Sequence, residues 1–219
     1  MSPETVTAAR KRPSRRPSAA ARRAAARRRR RTLLVLVVVA LTVVAVVMAL
    51  PLARKAVNEL GLPLHYQDVI RTQAADKHLD PALIAAVIYA ETKFDPRTSS
   101  AGAEGLMQIL PETARFLARR SGASTFKMSD LSDPAVNIAY GSYLLRYLLD
   151  HYHGNKVDAV AAYNAGPANV DKWVAQARAD GHDLRVQDIP FPETRAYVSR
   201  VLQAQKDYRR AYASELGYD

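Results

Sequence analysis

The 219-residue sequence predicts a mostly α-helical fold preceded by one transmembrane helix. Two observations predict the helices: several prolines stand where a helix would begin, and apolar residues recur at spacings of three and four. No segment alternates between apolar and polar residues as a half-buried strand does. A third observation, an uncharged stretch of 22 residues near the N-terminus, predicts the transmembrane helix.

Residues 1–31 form an arginine-rich tail. They hold 12 of the 32 basic residues and a single acid, Glu4, and so account for the whole formal net charge of +11. The tail has no apolar stripe to bury, and we expect a disordered segment that meets anionic lipid headgroups. A nucleic-acid-binding arm has a similar composition, but the rest of the chain is formally neutral and the tail directly precedes a membrane span. No nucleic-acid partner is therefore predicted.

Residues 32–53 carry no charge and are rich in Val, Leu and Ala. A helix of this length is about 33 Å long, enough to cross a hydrocarbon core of about 30 Å. The basic tail before the span predicts a cytoplasmic N-terminus, so everything after the span would lie outside the cytoplasm. The alternative is a cleaved signal peptide, with a cleavage site at Val47-Met48-Ala49. An uncleaved span would make this a single-pass protein of the cell membrane.

A linker, residues 54–63, leads to one domain, residues 64–219, which is long enough to form its own core. Two Asp-Pro pairs each place a capping carboxylate before a first-turn proline, at Asp80-Pro81 and Asp133-Pro134. Further helix starts are predicted at Pro111, Pro167 and Pro192, and glycine C-caps at Gly122 and Gly154. The predicted buried face of the helix after Asp133 comprises Val136, Tyr140, Tyr143, Leu144, Tyr147 and Leu148.

The absence of cysteine excludes disulfides, thiolate catalysis, Cys-ligated zinc and iron–sulfur clusters. The five histidines show no His-Glu-x-x-His pattern, and His151 and His153 are too close in sequence to share a helix face. No nucleophile elbow, P-loop or dinucleotide fingerprint is present. The sequence therefore predicts neither a metal nor an organic cofactor, and any covalent chemistry must use oxygen or nitrogen.

Glu91 is the candidate for acid–base chemistry. It lies seven residues after Ile84 and four after Val87, which places its carboxyl on an apolar helix stripe. Burial and a helix C-terminus both disfavour the ionised form and would give a carboxylic acid that survives near neutral pH. The periodicity fits equally well a Glu91 that ends the helix and points into water beside Lys93.

Three later segments also break the helical pattern. The turn-rich loop 94–105 contains two glycines and leads into Leu106–Pro111, which suggests a backbone that approaches a ligand closely. Residues 161–167 interrupt a helix, and residues 189–198 open the last one. Taken singly, each has a structural explanation: Tyr163 as core, Asn164 and Gly166 as a C-cap, and Glu193 as a first-turn carboxylate.

Taken together and in order, four motifs resemble those of the soluble lytic transglycosylase (SLT) catalytic-domain family. The motifs are Glu91-Thr92, Gly105-Leu106-Met107-Gln108, Ala162-Tyr163-Asn164-Ala165-Gly166 and Pro192-Glu193-Thr194-Arg195-Ala196-Tyr197-Val198. The resemblance covers residues 64–210 and implies a lysozyme-like fold that acts on peptidoglycan glycan strands. It implies that Glu91 is the single catalytic residue. The implied substrate-binding residues are Thr92, Ser99, Gln108, Tyr163, Asn164 and Glu193.

The sequence departs from the family pattern at two places. Thr92 stands where the family usually has a serine, so the hydroxyl is kept and a methyl group is added. The spacing from Glu91 to the Gly-Leu-Met-Gln motif is one residue shorter than the common form. The loop serine near the glutamate could therefore be Ser99 or Ser100, and counting back from Gln108 favours Ser99.

Ordinary glycoside hydrolysis needs two carboxyl groups, and the sequence offers a clear candidate only for the first. The resemblance implies that Glu91 protonates the oxygen between N-acetylmuramic acid and N-acetylglucosamine, while the substrate's N-acetyl oxygen stabilises the cation. Glu91 would then accept a proton from the C6 hydroxyl as a 1,6-anhydro ring closes. A muramidase that uses water and a non-catalytic peptidoglycan-binding scaffold stay open as alternatives.

Overall fold

The computed structural model of the chain describes residues 40–49 and 61–218. The chain forms two units, residues 1–55 and residues 56–219. In the first unit, residues 40–49 form a helix, α1, whose side chains are exposed. No helix among the described residues is both long enough and apolar enough to cross a membrane. The predicted tail, most of the predicted span 32–53 and most of the linker 54–63 lie outside the described residues.

The second unit is mostly helical, as predicted. Its α-helices are α2 (Gln67–Lys77), α3 (Pro81–Thr92), α4 (Pro111–Ser121), α5 (Pro134–His151), α6 (Lys156–Ala165), α7 (Pro167–Ala179) and α8 (Pro192–Ala211). Two 3₁₀ helices, Met128–Ser132 and Val186–Asp188, lie in the connections. Within residues 61–218, β pairing is limited to one antiparallel bridge between Glu104 and Ile109.

The predicted helix starts are confirmed. The carboxylate of Asp80 accepts a hydrogen bond from the Ala82 N–H at 3.0 Å, and that of Asp133 accepts one from the Ala135 N–H at 2.7 Å. These contacts satisfy donors that the first helical turn leaves without a partner. The helices predicted at Pro111, Pro167 and Pro192 also begin at those prolines.

One predicted C-cap is right and the other is wrong. Gly122 caps α4 in the left-handed conformation that glycine adopts without strain, with φ of +73°. In contrast, α5 ends at His151 and its C-cap is Tyr152. Gly154 lies two residues further on, where its N–H donates to the Leu149 carbonyl at 2.7 Å.

The predicted buried face of α5 is right only in part: Leu148 is fully buried, and Tyr140, Leu144 and Tyr147 are half-buried and pack against the core. The buried residues of α5 are Asn137, Ile138, Gly141, Ser142, Leu145, Leu148 and Leu149. The tyrosines lie at the edge of the core, where Tyr140 stacks on Phe126. Glycine is required at one inner position because a neighbouring loop approaches closely: a Cβ at Gly141 would lie 2.3 Å from the Met107 sulfur.

Helix α3 lies in the centre of the core and packs against α8 along its length. Residues 82–88 are all buried, so α3 is enclosed on every side rather than along the single stripe that the sequence predicted. At its N-terminal end, the Asp80 carboxylate accepts hydrogen bonds from Gln205 and Arg209 of α8, at 2.5 and 2.7 Å. The C-terminal turn of α3 carries Glu91.

Candidate active site

Glu91 lies in the last turn of α3 with its carboxyl group partly buried. The Tyr197 hydroxyl, from α8, donates to Glu91 Oε1 at 2.7 Å. The Glu91 backbone carbonyl accepts a hydrogen bond from the Arg97 guanidinium at 2.6 Å. Lys93 is exposed, whereas Glu91 is held against α8, so its carboxyl group does not simply point into water.

Burial raises the pKa of Glu91 from 4.5 to about 7. The Tyr197 hydrogen bond and the positive charges of Arg200 and Arg97 act in the opposite direction, because each favours the ionised form. The effect of burial on the pKa of Glu91 is therefore larger than the opposing effects of these three residues. At neutral pH, protonated and ionised Glu91 coexist in comparable amounts, which suits a group that must first give and then take a proton.

Two tyrosines lie beside this carboxyl. The Tyr163 hydroxyl, from the end of α6, donates to the Met107 carbonyl at 2.9 Å. Burial and the nearby charge of Glu91 raise the pKa of both Tyr163 and Tyr197 well above 10, so both keep their protons. Since the Tyr163 proton is directed at Met107, its oxygen is available as a hydrogen-bond acceptor.

The loop between α3 and α4 is fastened to α3 by Thr92. This side chain is buried, and its hydroxyl lies 2.8 Å from the Leu106 carbonyl and 3.2 Å from the Ile88 carbonyl, both of which accept hydrogen bonds. The hydroxyl of Thr92 is therefore committed to the protein backbone. It holds the loop in place and offers no group to a substrate.

Asn137 of α5 holds the same loop from the other side. Its side chain is fully buried; Oδ1 accepts from the Met107 N–H at 2.8 Å, and Nδ2 donates to the carbonyls of Glu104 and Leu131 at 2.9 and 3.0 Å. A Cβ at Gly105 would lie 2.2 Å from Asn137 Nδ2. The glycine of the Gly-Leu-Met-Gln motif is thus required by close approach, and its φ of +73° also favours glycine.

Gln108 and Ser99 shape the loop from within. Gln108 has a φ of +49°, and its side-chain amide donates to the carbonyls of Arg97 and Gly105 at 2.7 and 2.8 Å. Ser99 Oγ accepts a hydrogen bond from the Ala103 N–H at 3.0 Å. Because the amide hydrogens of Gln108 face the loop, its carbonyl oxygen is the group left to contact a ligand.

The family model described as the transglycosylase SLT domain matches residues 68–186 of this chain. The chain belongs to the SLT family. The predicted resemblance is thereby confirmed, and the match contains Glu91, the loop that Thr92 and Asn137 hold, and Tyr163.

Known SLT proteins and structures are similar to this chain over about 70% of its length. The soluble lytic murein transglycosylase of Escherichia coli K12 is 34% identical over 155 residues, which cover 69% of this chain and 24% of that protein. Membrane-bound lytic murein transglycosylase C of Klebsiella pneumoniae is 32% identical over 176 residues, 70% of this chain and 49% of that protein. This chain therefore spans about a quarter to a half of these relatives.

Two solved structures of lytic transglycosylases are also similar to this chain. An inactive mutant of the lytic transglycosylase Slt from Pseudomonas aeruginosa superposes with a TM-score of 0.65 at 31% identity, covering 72% of this chain and 26% of that one. The 70-kDa soluble lytic transglycosylase of E. coli in complex with bulgecin A gives a TM-score of 0.64 at 32% identity, covering 69% and 25% of the two chains.

In this SLT domain, Asn164 joins two helices near the site. Its Oδ1 accepts a hydrogen bond from the buried Thr194 hydroxyl at 2.8 Å, which ties the end of α6 to the start of α8. Glu193 is exposed in the first turn of α8, four residues before Tyr197. The structure thus brings Glu91 together with Tyr163 and, through Arg97, with the loop that Gln108 helps to hold. It places Asn164 at the end of α6, tied to the start of α8 where Glu193 lies.

Sequence reasoning misses several residues of this SLT site. The sequence indicates Tyr197 only as a member of the last motif. Its position, one helical turn after Glu193, is nevertheless a signal that could identify it as a site residue. Arg97 and Arg200 act on the pKa of Glu91 from a loop and from α8, and Asn137 acts on the loop from α5. Among residues 40–49 and 61–218, no three His, Cys, Asp or Glu side chains lie close enough to hold a metal ion.

Proposed function

We propose that this chain is a peptidoglycan lytic transglycosylase. It cleaves the β-1,4 bond between N-acetylmuramic acid and N-acetylglucosamine, with Glu91 as the single general acid and base. One observation carries the proposal: the Glu91 carboxyl is buried enough to have a pKa of about 7 and is oriented by Tyr197. The relatives named above are lytic murein transglycosylases, which supports the same substrate for this chain.

In the first step, protonated Glu91 donates its proton to the glycosidic oxygen, and the bond from that oxygen to the muramic acid anomeric carbon breaks. Since Tyr197 donates to Oε1, the transferred proton is carried on Oε2. The N-acetyl oxygen of the same sugar stabilises the positive charge that develops, a form of substrate assistance. The Tyr197 hydrogen bond remains to stabilise the carboxylate that forms.

In the second step, ionised Glu91 accepts the proton of the C6 hydroxyl. The C6 oxygen attacks the anomeric carbon and closes a 1,6-anhydro ring, so no water is consumed. Glu91 ends the cycle protonated, as it began. General acid–base catalysis of this kind contributes about 10²- to 10⁴-fold, and positioning of the sugar supplies much of the remainder.

The surrounding side chains bind and position the glycan. Tyr163 accepts a hydrogen bond from the sugar through its oxygen, and Gln108 offers its carbonyl oxygen. Ser99, Asn164 and Glu193 contact the strand along the adjoining loop and the start of α8. Thr92 acts indirectly, by fixing the Leu106 carbonyl and with it the loop.

We also propose that residues 32–53 anchor the protein in the cell membrane, with the tail 1–31 in the cytoplasm and the SLT domain outside. The helical conformation of residues 40–49 and the charge of the preceding tail support this topology. Protease added to intact spheroplasts should digest the SLT domain of a membrane-bound chain. A domain that is protected until the membrane is lysed would contradict the topology.

The chemistry is tested by mass spectrometry of muropeptides released from purified peptidoglycan by the full-length chain. Glu91→Gln is the matched control, since it keeps the shape and removes the acid. We expect the wild-type chain to release products with 1,6-anhydromuramyl ends, and we expect these products to be absent with Glu91→Gln. Unchanged release by Glu91→Gln would refute the assignment, and a folded protein that binds sacculi and releases nothing would indicate a binding scaffold.

A further inference from the structure

Three tyrosine hydroxyls hold the end of the predicted linker. The backbone carbonyls of residues 61–63 each accept a hydrogen bond from one tyrosine: Gly61 from Tyr89 at 3.1 Å, Leu62 from Tyr212 at 2.8 Å and Pro63 from Tyr208 at 2.5 Å. The side chains of Leu62 and Leu64 also pack against the core. Residues 61–63 are therefore bound to the SLT domain. We refer to the three tyrosines as the tyrosine clamp.

The tyrosine clamp joins the two helices that carry Glu91 and Tyr197. Tyr89 belongs to α3, whereas the other two tyrosines lie in the last turn of α8 and at its C-cap. The backbone of residues 61–63 thus forms a bridge from α3 to α8. The Tyr197–Glu91 hydrogen bond joins the same two helices, and Tyr89 precedes Glu91 by two residues, a rise of about 3 Å along α3.

The same aromatic cluster supports the chain on the other side of Glu91. Phe94, three residues after Glu91, is buried and has a φ of +66°, a conformation that is strained for an aromatic residue. The centroid of its ring lies 6.1 Å from that of Tyr208 and 6.0 Å from that of His65. The Tyr89 ring packs edge to face on Tyr208 at 6.1 Å. Glu91 therefore lies between two residues, Tyr89 and Phe94, that both contact Tyr208.

Folding alone does not account for the whole clamp. A buried tyrosine hydroxyl needs a hydrogen-bond partner, and this explains the contact of Tyr208, which is fully buried. Tyr89 is only partly buried, so water could serve its hydroxyl equally well. The contact of Tyr89 with Gly61 is nevertheless the one that connects the linker to α3. A role in holding α3 explains it.

We propose that the tyrosine clamp positions Glu91: by binding the end of the linker, it holds α3 against α8 and keeps the Tyr197 hydroxyl on the Glu91 carboxyl. The three tyrosines are positioning residues, because they act on Glu91 through Tyr197. Cleavage then depends on residues 61–63 being bound to the domain. The inference rests on the proposed function for the reaction that Glu91 performs.

The test is the full-length chain with Tyr89→Phe, Tyr208→Phe and Tyr212→Phe combined. These substitutions keep the three rings, and with them the burial of Glu91, but remove the hydroxyls that hold the linker. The Tyr197 hydrogen bond lowers the pKa of Glu91, so a looser bond should raise this pKa. We expect kcat to fall roughly tenfold at an unchanged KM for peptidoglycan.

The pKa of Glu91 is measured without substrate, by ¹³C NMR of labelled glutamate carboxyl groups in detergent. Glu91→Gln identifies the signal by removing it. In a Tyr197→Phe background, the combined variant should leave the pKa unchanged, because the hydrogen bond through which the clamp acts is already absent. Tyr152→Phe is the matched control. Tyr152 is buried and its hydroxyl donates to Asp171 at 2.9 Å, so its loss should alter neither the pKa of Glu91 nor kcat.

Two results would overturn the inference. One is a wild-type pKa of Glu91 in a combined variant whose circular dichroism shows it folded, since the clamp would then only stabilise the fold. The other is a change in this pKa that is equally large with Tyr197→Phe. If the combined variant does not fold, Tyr89→Phe alone, which removes the contact with α3, is held to the same two results.

The proposed function fails separately. A wild-type chain that forms no anhydromuramyl product would refute the function. The NMR measurement needs no turnover, so it would still decide whether the clamp positions Glu91.

Discussion

At the scale of single residues, the catalytic chemistry depends on how the protein sets the pKa of Glu91. Burial disfavours the carboxylate, and Tyr197, Arg200 and Arg97 partly restore it. The balance leaves a pKa of about 7. A difference of one in pKa corresponds to about 1.36 kcal/mol of differential interaction between the protonated and ionised forms. None of these three residues carries a carboxyl group, so the raised pKa does not come from a second carboxylate.

The first prediction concerns the pH dependence of turnover. Since the acid step needs protonated Glu91, kcat/KM should fall as the pH rises through about 7. Tyr197→Phe removes a hydrogen bond that lowers this pKa, so the fall should move to higher pH. The same change should reduce kcat by roughly 10- to 100-fold, because the carboxylate loses a hydrogen-bond donor. A pH profile that Tyr197→Phe leaves unshifted would contradict this role of Tyr197.

The second prediction concerns the effect of Glu91 on stability. A carboxyl whose pKa is raised on folding supports the folded state below pH 4.5, and this contribution is lost as the pH rises through about 7. Glu91→Gln should therefore stabilise the protein at pH 8 to 9, by up to about 3 kcal/mol. The gain should vanish near pH 4. Denaturant titrations at both pH values measure it, and an equal effect at both would show that ionisation is not the cause.

At the scale of structural elements, the loop between α3 and α4 is held by helices that are distant in sequence. Thr92 of α3 binds the Leu106 carbonyl, Asn137 of α5 binds the Met107 N–H, and Tyr163 of α6 binds the Met107 carbonyl. Three helices thus fix the backbone of this loop. The glycine of the Gly-Leu-Met-Gln motif is required because Asn137 approaches it closely.

The third prediction tests this arrangement with Asn137→Ala. The change leaves the Met107 N–H and the Leu131 carbonyl without their partner, whereas the Glu104 carbonyl keeps the hydrogen bond from the Ile109 N–H. Buried groups left unpaired cost about 1–3 kcal/mol each. We expect a loss of roughly 3 kcal/mol in unfolding free energy and a lower kcat in the fraction that stays folded.

Asn155→Ala is the matched control for Asn137→Ala. Asn155 caps α6 through two backbone N–H groups and does not contact the loop. Its loss should cost about 1 kcal/mol and leave kcat unchanged. If both variants lower kcat equally, or neither does, Asn137 has no specific role in positioning the loop.

The helices themselves could be predicted well from the sequence, because proline and capping residues act locally. Asp80-Pro81 and Asp133-Pro134 mark the starts of α3 and α5 without reference to any tertiary contact. The buried face of α5 could not be predicted by hydrophobicity. Its inner positions include Asn137 and Gly141, which suit the approach of a loop about thirty residues earlier in the chain.

The candidate site likewise contains some residues that the sequence can predict and others that it cannot. Glu91 and Tyr163 lie in short motifs and can be identified from them, whereas the pairing of Tyr197 with Glu91 joins residues 106 positions apart. The apolar positions before Glu91 predict a raised pKa, and burial does raise it. The sequence does not predict that the Thr92 hydroxyl and the Gln108 amide donate hydrogen bonds to carbonyl groups of the loop, because those contacts depend on how the loop folds.

At the scale of the whole molecule, two buried acids, Asp158 and Glu91, both make the folded state less stable as the pH rises. Burial and the nearby charge of Asp183 raise the pKa of Asp158 to about 6, and burial raises that of Glu91 to about 7. Asp158 is almost fully buried at the start of α6, and its Oδ1 has no hydrogen-bond partner. Asp80 acts in the opposite direction, since hydrogen bonds from Tyr218 and Gln205 overcome its desolvation and lower its pKa.

The fourth prediction follows from the raised pKa values of these two acids. Between about pH 4 and pH 7 the folded state binds more protons than the unfolded state at Asp158 and Glu91, so the unfolding free energy should fall as the pH rises. The melting temperature should therefore be higher at pH 5 than at pH 8. Asp158→Asn should reduce this difference, and scanning calorimetry at the two pH values measures it. A melting temperature that rises from pH 5 to pH 8 would contradict the prediction.

The central claim is that Glu91 alone drives cleavage and that the substrate's own C6 hydroxyl, rather than water, completes it. The most direct test is to digest purified peptidoglycan with the full-length chain in water enriched in ¹⁸O and to measure the masses of the products by mass spectrometry. The proposed mechanism predicts 1,6-anhydromuramyl ends that contain no ¹⁸O. Reducing muramic acid ends that carry one ¹⁸O atom would show that water is the acceptor, and would contradict it.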